Sequence, residues 1–328
     1  MKNFPFKVSI CIPTYNNYKF LDKQIKIFKN SLKGIQDPYF FELCISDNNS
    51  SDKTISINRK NKNHNIKIYR NKKNLGITLN LLNCIKKSNG EYTFILGDDD
   101  LPDDKFYEEL YEILSNNDFN KMLFWKIDNI SYLKSRIKYK LFSYIFMRGA
   151  TMPGILFKKK NIKFYFIKSN SLYPTILLSA NYYLKHGIEI INTKSKINVG
   201  NEQSITDKFL DKMTRPIDYG VLERLKILNN YFYKSKINLI EYIFSVYNLS
   251  SWAFSIENNL IAAKAYEIRN KYRKSILSYS KMFNFFYILI NLIKKLNCKF
   301  NIIELCTIIR KILEKNFKKN EQSKHRFF

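Results

Sequence analysis

Three consecutive carboxylates, Asp98-Asp99-Asp100, follow the apolar run Phe94-Ile95-Leu96 and a single glycine, Gly97, which permits an unusual backbone at a turn. Adjacent anions repel one another, so such a cluster is costly without a cation. A hard divalent ion, Mn²⁺ or Mg²⁺, relieves that repulsion, because such ions take one or two carboxylates together with substrate phosphates. An ion held there bridges a diphosphate and takes up the charge that develops as a leaving group departs. The same residues also fit a solvated acidic loop ahead of a helix beginning near Pro102, with Asp103 and Asp104 as first-turn acids. Two more polar clusters follow apolar runs: Thr14-Tyr15-Asn16, and Asp47-Asn48-Asn49-Ser50-Ser51-Asp52.

Elements that could position these groups are legible around them. Val8-Ser9-Ile10-Cys11-Ile12 reads as a buried strand stopped by Pro13, and apolar residues between 20 and 32 recur at helical spacing. A second strand over 40–46 runs into the Asp47 loop, and a helix of about ten residues is expected after it. A third strand over 66–70, a helix over 78–88 and a fourth strand over 92–96 complete a β-α-β-α-β-α-β series. Such alternation specifies a mostly parallel sheet with helices on both faces, whose ligands bind beyond the carboxyl ends of the strands. Between 119 and 199 the signals are mixed: short strands at 122–125 and 154–157, and a helix over 173–186 closed by Gly187. From about Pro216 onward only helical patterns remain, over 221–233, 237–254, 258–279, 283–297 and 302–317. The expected division is therefore a catalytic α/β domain over 1–215 and a basic helical region over 216–328.

The segments Val8 to Asn16, Ile45 to Thr54, Asn74-Leu75-Gly76 and Gly90 to Asp100 together resemble family-2 glycosyltransferases of the GT-A fold, a Rossmann-like, mostly parallel α/β architecture. Within that family they are most similar to the abequosyltransferase-like branch, in which the acidic motif also reads Gly-Asp-Asp-Asp. The resemblance covers about residues 6–105 well and reaches more weakly to about 200. It implies an inverting transfer of sugar from a nucleotide-diphospho-sugar donor to a surface polysaccharide or lipid-linked oligosaccharide. It further implies that Pro13, Thr14 and Asn16 line the nucleotide pocket together with Asn74 and Gly76. By the same resemblance Asp47 contacts the base, and Asp98, Asp99 and Asp100 hold metal and diphosphate, with Asp98 and Asp100 placed first among them. Read without the resemblance, Asp47 is an N-cap or Asx-turn residue. Many relatives carry an acid where Gly97 stands here. They also supply a general base from an acidic pair 70 to 90 residues after the metal motif; residues 171–178 contain no acid, which leaves Glu189, Glu202 and Asp128 as candidates. The loop over 149–154 could lie near the acceptor or be a plain turn.

Composition bounds the alternatives. The chain has 328 residues, 45% of them hydrophobic, which is enough for a substantial core. A net charge of +28 attracts polyanions, whether nucleic acid, anionic lipid or a phosphate-rich substrate. No nucleic-acid-binding module is recognisable, and no Gly-x-Gly-x-x-Gly cradle is present, so nucleic acid is not the expected partner and a nicotinamide cofactor is not expected. A transferase fold that binds donor without turning it over stays open, because the base is missing from its usual place. The five cysteines include no close pair at zinc-ligand spacing; Cys11 and Cys44 read as buried, reduced thiols, consistent with a cytoplasmic protein. No run is long and apolar enough to span a bilayer. Residues 264–328 carry twelve Lys and four Arg against four Glu on helices with apolar stripes. Those stripes fit either packing on the catalytic domain or docking at the inner face of the cytoplasmic membrane.

Overall fold

The structure is a computed structural model that describes residues 5–54, 56–57, 64–126, 138–149, 153–164, 171, 173–189, 191, 193–198, 220–262, 266–278 and 283–289. The chain divides into two compact units, one of residues 1–134 and 148–202, the other of residues 135–147 and 203–328.

In the first unit β1 (Phe6–Thr14), β2 (Phe41–Asp47), β3 (Ile66–Arg70) and β4 (Gly90–Ile95) run parallel. Helix α1 (Tyr18–Ser31) connects β1 toward β2, and α2 (Gly76–Lys87) connects β3 to β4. After β4 come a two-residue strand β5 (Leu101–Pro102), helix α3 (Phe106–Ser115) and β6 (Met122–Phe124). Helix α4 (Lys138–Arg148) then leads to β7 (Ile155–Lys158), α5 (Pro174–His186), β8 (Ile188–Glu189) and β9 (Ile197–Asn198). The main sheet has the order β3-β2-β1-β4-β7-β6-β8, with only β7 antiparallel to its neighbours, and β5 pairs separately with β9.

Alternation along β1 sorts the two faces of the sheet. Val8, Ile10 and Ile12 join Leu21, Ile25 and Phe28 of α1 and Phe106, Tyr107 and Leu110 of α3 in the main core. Edge-on aromatic pairs, Phe94 with Phe106 and Phe106 with Trp125, fill its centre. The other face, under α2, is polar. Glu42, fully buried, accepts hydrogen bonds from Ser9 Oγ (2.6 Å), the Asn89 amide (2.7 Å) and Asn89 Nδ2 (2.7 Å), and so ties β1, β2 and the approach to β4.

The strand over 66–70 coincides with its sequence-based expectation, and the ends of α2, β4 and α5 lie within two residues of theirs. Gly187 closes α5 with a φ of 79°. Pro102 differs: it lies in β5 rather than opening a helix, because Leu101 and Pro102 pair with Asn198 and Ile197, and α3 starts only at Phe106. Asp103 therefore precedes the helix, and its Oδ2 accepts from the Lys196 amide (2.8 Å); the first-turn acids are Glu108 and Glu109. Most of the helix expected after Asp52 lies outside the described residues.

The second unit is helical where described: α4 residues up to Met147, α6 (Val221–Tyr233), α7 (Leu239–Ala262), α8 (Tyr266–Leu277) and a helical stretch over 283–289. A reciprocal capping box starts α7, the Asn238 amide donating to Glu241 and the Glu241 amide to Asn238 Oδ1, both at 2.9 Å. Buried Glu257 pairs with Arg269 at 3.0 Å and accepts from the Tyr287 hydroxyl. No helix among the described residues is long and apolar enough to cross a membrane. The helix expected over 302–317 lies outside them.

Replacing Glu42 by Ala strands one buried and two part-buried donors at the start of the parallel sheet. Loss of about 2–4 kcal/mol of stability is expected, read as a lower midpoint in urea denaturation, with Glu42→Gln intermediate.

Candidate functional site

Strand register builds the site. Arg70 is paired with Asp47 across β3 and β2, and Asp47 with Thr14 across β2 and β1. Cys11 is paired with Ile95, the last residue of β4, and in the turn just beyond it Asp98 meets Thr14 through a side-chain hydrogen bond. Side chains in one row of a parallel sheet share a face. The row is joined by hydrogen bonds: Arg70 Nη1 donates to Asp47 Oδ2 (3.2 Å), and Thr14 Oγ1 to Asp98 Oδ2 (2.8 Å), which also accepts from the Tyr15 amide (3.3 Å). It lies at the carboxyl ends of the strands, where open α/β sheets place their ligands.

Asparagines and serines knit the loops beyond the row. The Asn48 amide donates to Thr14 O, and Asn16 stands at φ 52° with its amide on Ser50 Oγ (2.9 Å) and its Oδ1 accepting from the Ser51 amide (2.8 Å). An Asn tolerates that left-handed backbone better than most residues. Asp47 Oδ1 accepts from the Ser50 amide (2.9 Å), an Asx turn within the second loop. Arg70 Nη2 reaches Asn49 Oδ1 (2.8 Å) and Ser50 O (2.9 Å), so one guanidinium holds both ends of that turn. Asn74 Oδ1 accepts from Asn48 Nδ2 (2.7 Å) and from the amide of Gly76, whose φ of 75° suits a residue without Cβ. Beneath them Asn80 of α2 donates to Thr14 O and Ser46 O and accepts from Ser46 Oγ and Asn71 Nδ2.

The acidic turn divides its three carboxylates. Asp100 is 2% exposed and folds back, its Oδ2 accepting from the Gly97 amide (2.8 Å). A Cβ on Gly97 would lie 2.2 Å from that oxygen, so a side chain here would displace the Asp100 carboxylate; the glycine gives room rather than a left-handed backbone, since its φ is not positive. Gln24 of α1 clamps the turn from below, its Nε2 donating to Gly97 O and Asp100 O, both at 2.6 Å. Asp98 and Asp99 are only half-buried. Burial and the neighbouring Asp99 hold the Asp98 carboxyl above its usual range, against the hydrogen bonds from Thr14, Asn17 and the Tyr15 amide. Among the described residues no cation pairs with Asp98. Two adjacent half-buried carboxylates with a strained charge balance fit a hard divalent cation.

The profile of the family described as "Glycosyl transferase family 2" matches residues 9–176, a span that takes in the whole row and both loops. The chain belongs to that family. Abequosyltransferase RfbV of Salmonella typhimurium is 41% identical over 96 residues, 28% of each chain. The GalNAc(5)-diNAcBac-PP-undecaprenol beta-1,3-glucosyltransferase of Campylobacter jejuni is 35% identical over 97 residues, 29% of this chain and 30% of that one. The matched segments thus span less than a third of these relatives' own length. Structures of S. aureus TarS 1-349, alone and with UDP-GlcNAc, align over 81% of this chain and 89% of theirs, at TM-scores of 0.47 and 0.45 and identities of 17% and 16%. The mostly parallel sheet with its acidic turn after β4 is the GT-A arrangement.

Within this family-2 fold the residues singled out in the sequence are brought together unevenly. Thr14, Asn16, Asp47, Asn74, Gly76, Asp98 and Asp99 belong to one hydrogen-bonded loop cluster or its acidic turn, and Pro13 sits in β1 beside Ser46. Asp98 and Asp100, expected first among the metal ligands, stand in different settings. One Asp100 oxygen closes its own turn, and the three aspartates do not bring an oxygen each within 4.8 Å of one another. Glu189 stands apart, because β8 is the edge strand farthest from β3 and Lys121 Nζ binds its Oε2 at 2.9 Å. Asp128 and Glu202 lie outside the described residues, as do 150–152 of the glycine-flanked loop. Gly154, at φ 79°, passes its amide to Ile95 O beside the acidic turn's strand. Sequence reading missed Arg70, Gln24, Asn71 and Asn80. A signal existed for Asn80, an amide on an otherwise apolar helical stripe.

Arg70→Ala removes three anchors from the 47–50 turn while leaving the row's strands paired. Amide hydrogen exchange over residues 48–51 is expected to quicken by about tenfold or more, with Arg70→Lys between the two.

Proposed function

We propose that this chain transfers a sugar, with inversion, from a nucleotide-diphospho-sugar donor to a hydroxyl of a surface polysaccharide or lipid-linked oligosaccharide. The observation that carries the reading is the row Arg70, Asp47, Thr14 and Asp98, in which two carboxylates stand two strands apart at the carboxyl ends of the sheet. Family membership and the names of the two curated relatives support the donor and acceptor classes.

In this reading Asp47, already oriented by Arg70 and the Ser50 amide, accepts the ring N–H of the nucleotide base. Asn16, Asn74 and Gly76 frame the nucleoside, and Pro13 and Thr14 form the floor. Asp98 and Asp99 would hold Mn²⁺ or Mg²⁺, with Asp100 shaping their turn. A cation bound there would supply charge neutralisation to the departing diphosphate. Thr14 and the Tyr15 amide fix the Asp98 carboxylate, so little reorganisation is needed as that charge develops.

The acceptor hydroxyl must surrender a proton to a base within hydrogen-bond reach. Glu202 is the candidate carried forward: it follows by four residues Asn198, which pairs with Leu101 directly after the acidic turn. A donor-binding chain without turnover remains the second reading, favoured by the lack of any acid over 171–178. The basic segment 264–328, which includes exposed Phe285 and Ile288, supports peripheral docking at the anionic inner face of the cytoplasmic membrane.

Calorimetry with a panel of nucleotide sugars should show binding that strengthens at least about tenfold with Mn²⁺ and loses that gain in Asp98→Ala and Asp99→Ala. Affinity indifferent to chelation and to both substitutions would falsify the reading. Glu202→Gln should keep donor affinity while lowering kcat by about 10²–10⁴; unchanged kcat moves the base elsewhere, and no turnover in the parent chain selects the second reading. Vesicles containing anionic lipid should retain the chain at low salt and release it as salt rises, whereas neutral vesicles should not bind it.

A further inference from the structure

The polar face under α2 contains a group that sugar transfer does not use. Cys11 of β1 and Cys44 of β2 are direct register partners, and Cys84 of α2 comes down onto them. All three are fully buried and free, and their sulfur atoms lie within 4.8 Å of one another. Among the described residues this is the only group of three or more Cys, His, Asp or Glu whose ligand atoms converge so closely.

The surroundings argue against reading the thiols as small apolar fillers. On the same sheet face their neighbours are Ser9 and Glu42 on one side and Ser46 on the other, with Ser46 bonded to Asn80 of the covering helix. Cys84 Sγ donates to Cys44 O at 3.1 Å, and Cys44 Sγ reaches Cys84 O only at 3.5 Å, so neither thiol is strongly committed. Lys159 Nζ donates to Lys86 O and Ser88 O at the end of α2, which places a positive charge near the group.

We propose that Cys11, Cys44 and Cys84 form a three-coordinate thiolate site for a soft monovalent cation, Cu(I). Metal–thiolate bonds of about 2.3 Å in a trigonal plane put the sulfurs about 4 Å apart, so the trio closes by less than about 1 Å. Soft sulfur donors select Cu(I) over the hard Mg²⁺ and Mn²⁺ suited to the carboxylates at the strand ends. A closed zinc site needs a fourth ligand, and among the described residues no fourth Cys, His, Asp or Glu belongs to the group. Binding displaces protons from the protonated thiols to solvent, so uptake is pH-dependent.

The test uses the full chain carrying Cys298→Ser and Cys306→Ser, reduced and anaerobic, with Cu(I) supplied as its bicinchoninate complex. The folded chain is expected to withdraw one copper, to release protons on doing so, and to show three sulfurs at about 2.3 Å by X-ray absorption. Cys84→Ala and Cys11→Ala, checked for native circular dichroism, should each weaken the affinity about 100-fold or more, and Cys44→Ser serves if either fails to fold. Failure of the folded chain to withdraw copper, equal withdrawal by folded variants, or a two-sulfur shell overturns the proposal.

Discussion

Parallel pairing of β1 with β2 on one side and β4 on the other is the constraint on which the site depends. The pairing aligns Asp47 with Thr14 directly and, through Cys11 and Ile95, brings the turn that bears Asp98 to Thr14. Residues that are 33 and 84 positions apart from Thr14 in the chain thereby become neighbours. A slip of one residue in either pairing would turn the misaligned side chain to the opposite face. The buried apolar set Val8, Ile10 and Ile12 forbids that slip, because the slip would drive all three from the main core into the polar layer under α2. Core packing and site geometry are therefore enforced by the same alternation.

Above the row, order depends on hydrogen bonds rather than apolar contact. Asn16, Asn48, Asn74 and Asn80 each bridge segments distant in sequence, while Arg70 satisfies three groups in one turn and Gln24 two in another. Buried amide networks of this kind are rigid when complete and costly when one member is lost. The acidic turn follows the same logic. Asp100 and Gln24 bind its backbone, which leaves Asp98 and Asp99 half-buried with an electrostatic strain that a divalent cation would relieve. That division of labour among three identical side chains arises from one folded-back carboxylate and from a glycine with no Cβ to obstruct it.

Much of this was legible before any coordinates. The strand-helix alternation was enough to anticipate the mostly parallel sheet, and the polar clusters with the Gly-Asp-Asp-Asp run carried the resemblance to family 2, whose profile matches residues 9–176. Local periodicity suffices there, because burial of one face dictates which residue types can occupy each position. Pro102 misled for a related reason: its preference for a helix start is a local tendency, and the pairing of β5 with β9 overrode it.

By itself the amino-acid sequence determined the parallel strands, the helices between them and the residue types displayed at their ends, all of which follow from short-range patterning. Only the tertiary structure decided that Arg70 grips Asp47, that Asp100 turns inward while its neighbours stay half-exposed, that Glu189 is stranded at a sheet edge, and that three scattered cysteines meet under α2. These are consequences of strand order and register, which join residues tens of positions apart. No local periodicity encodes which distant partner a side chain will face.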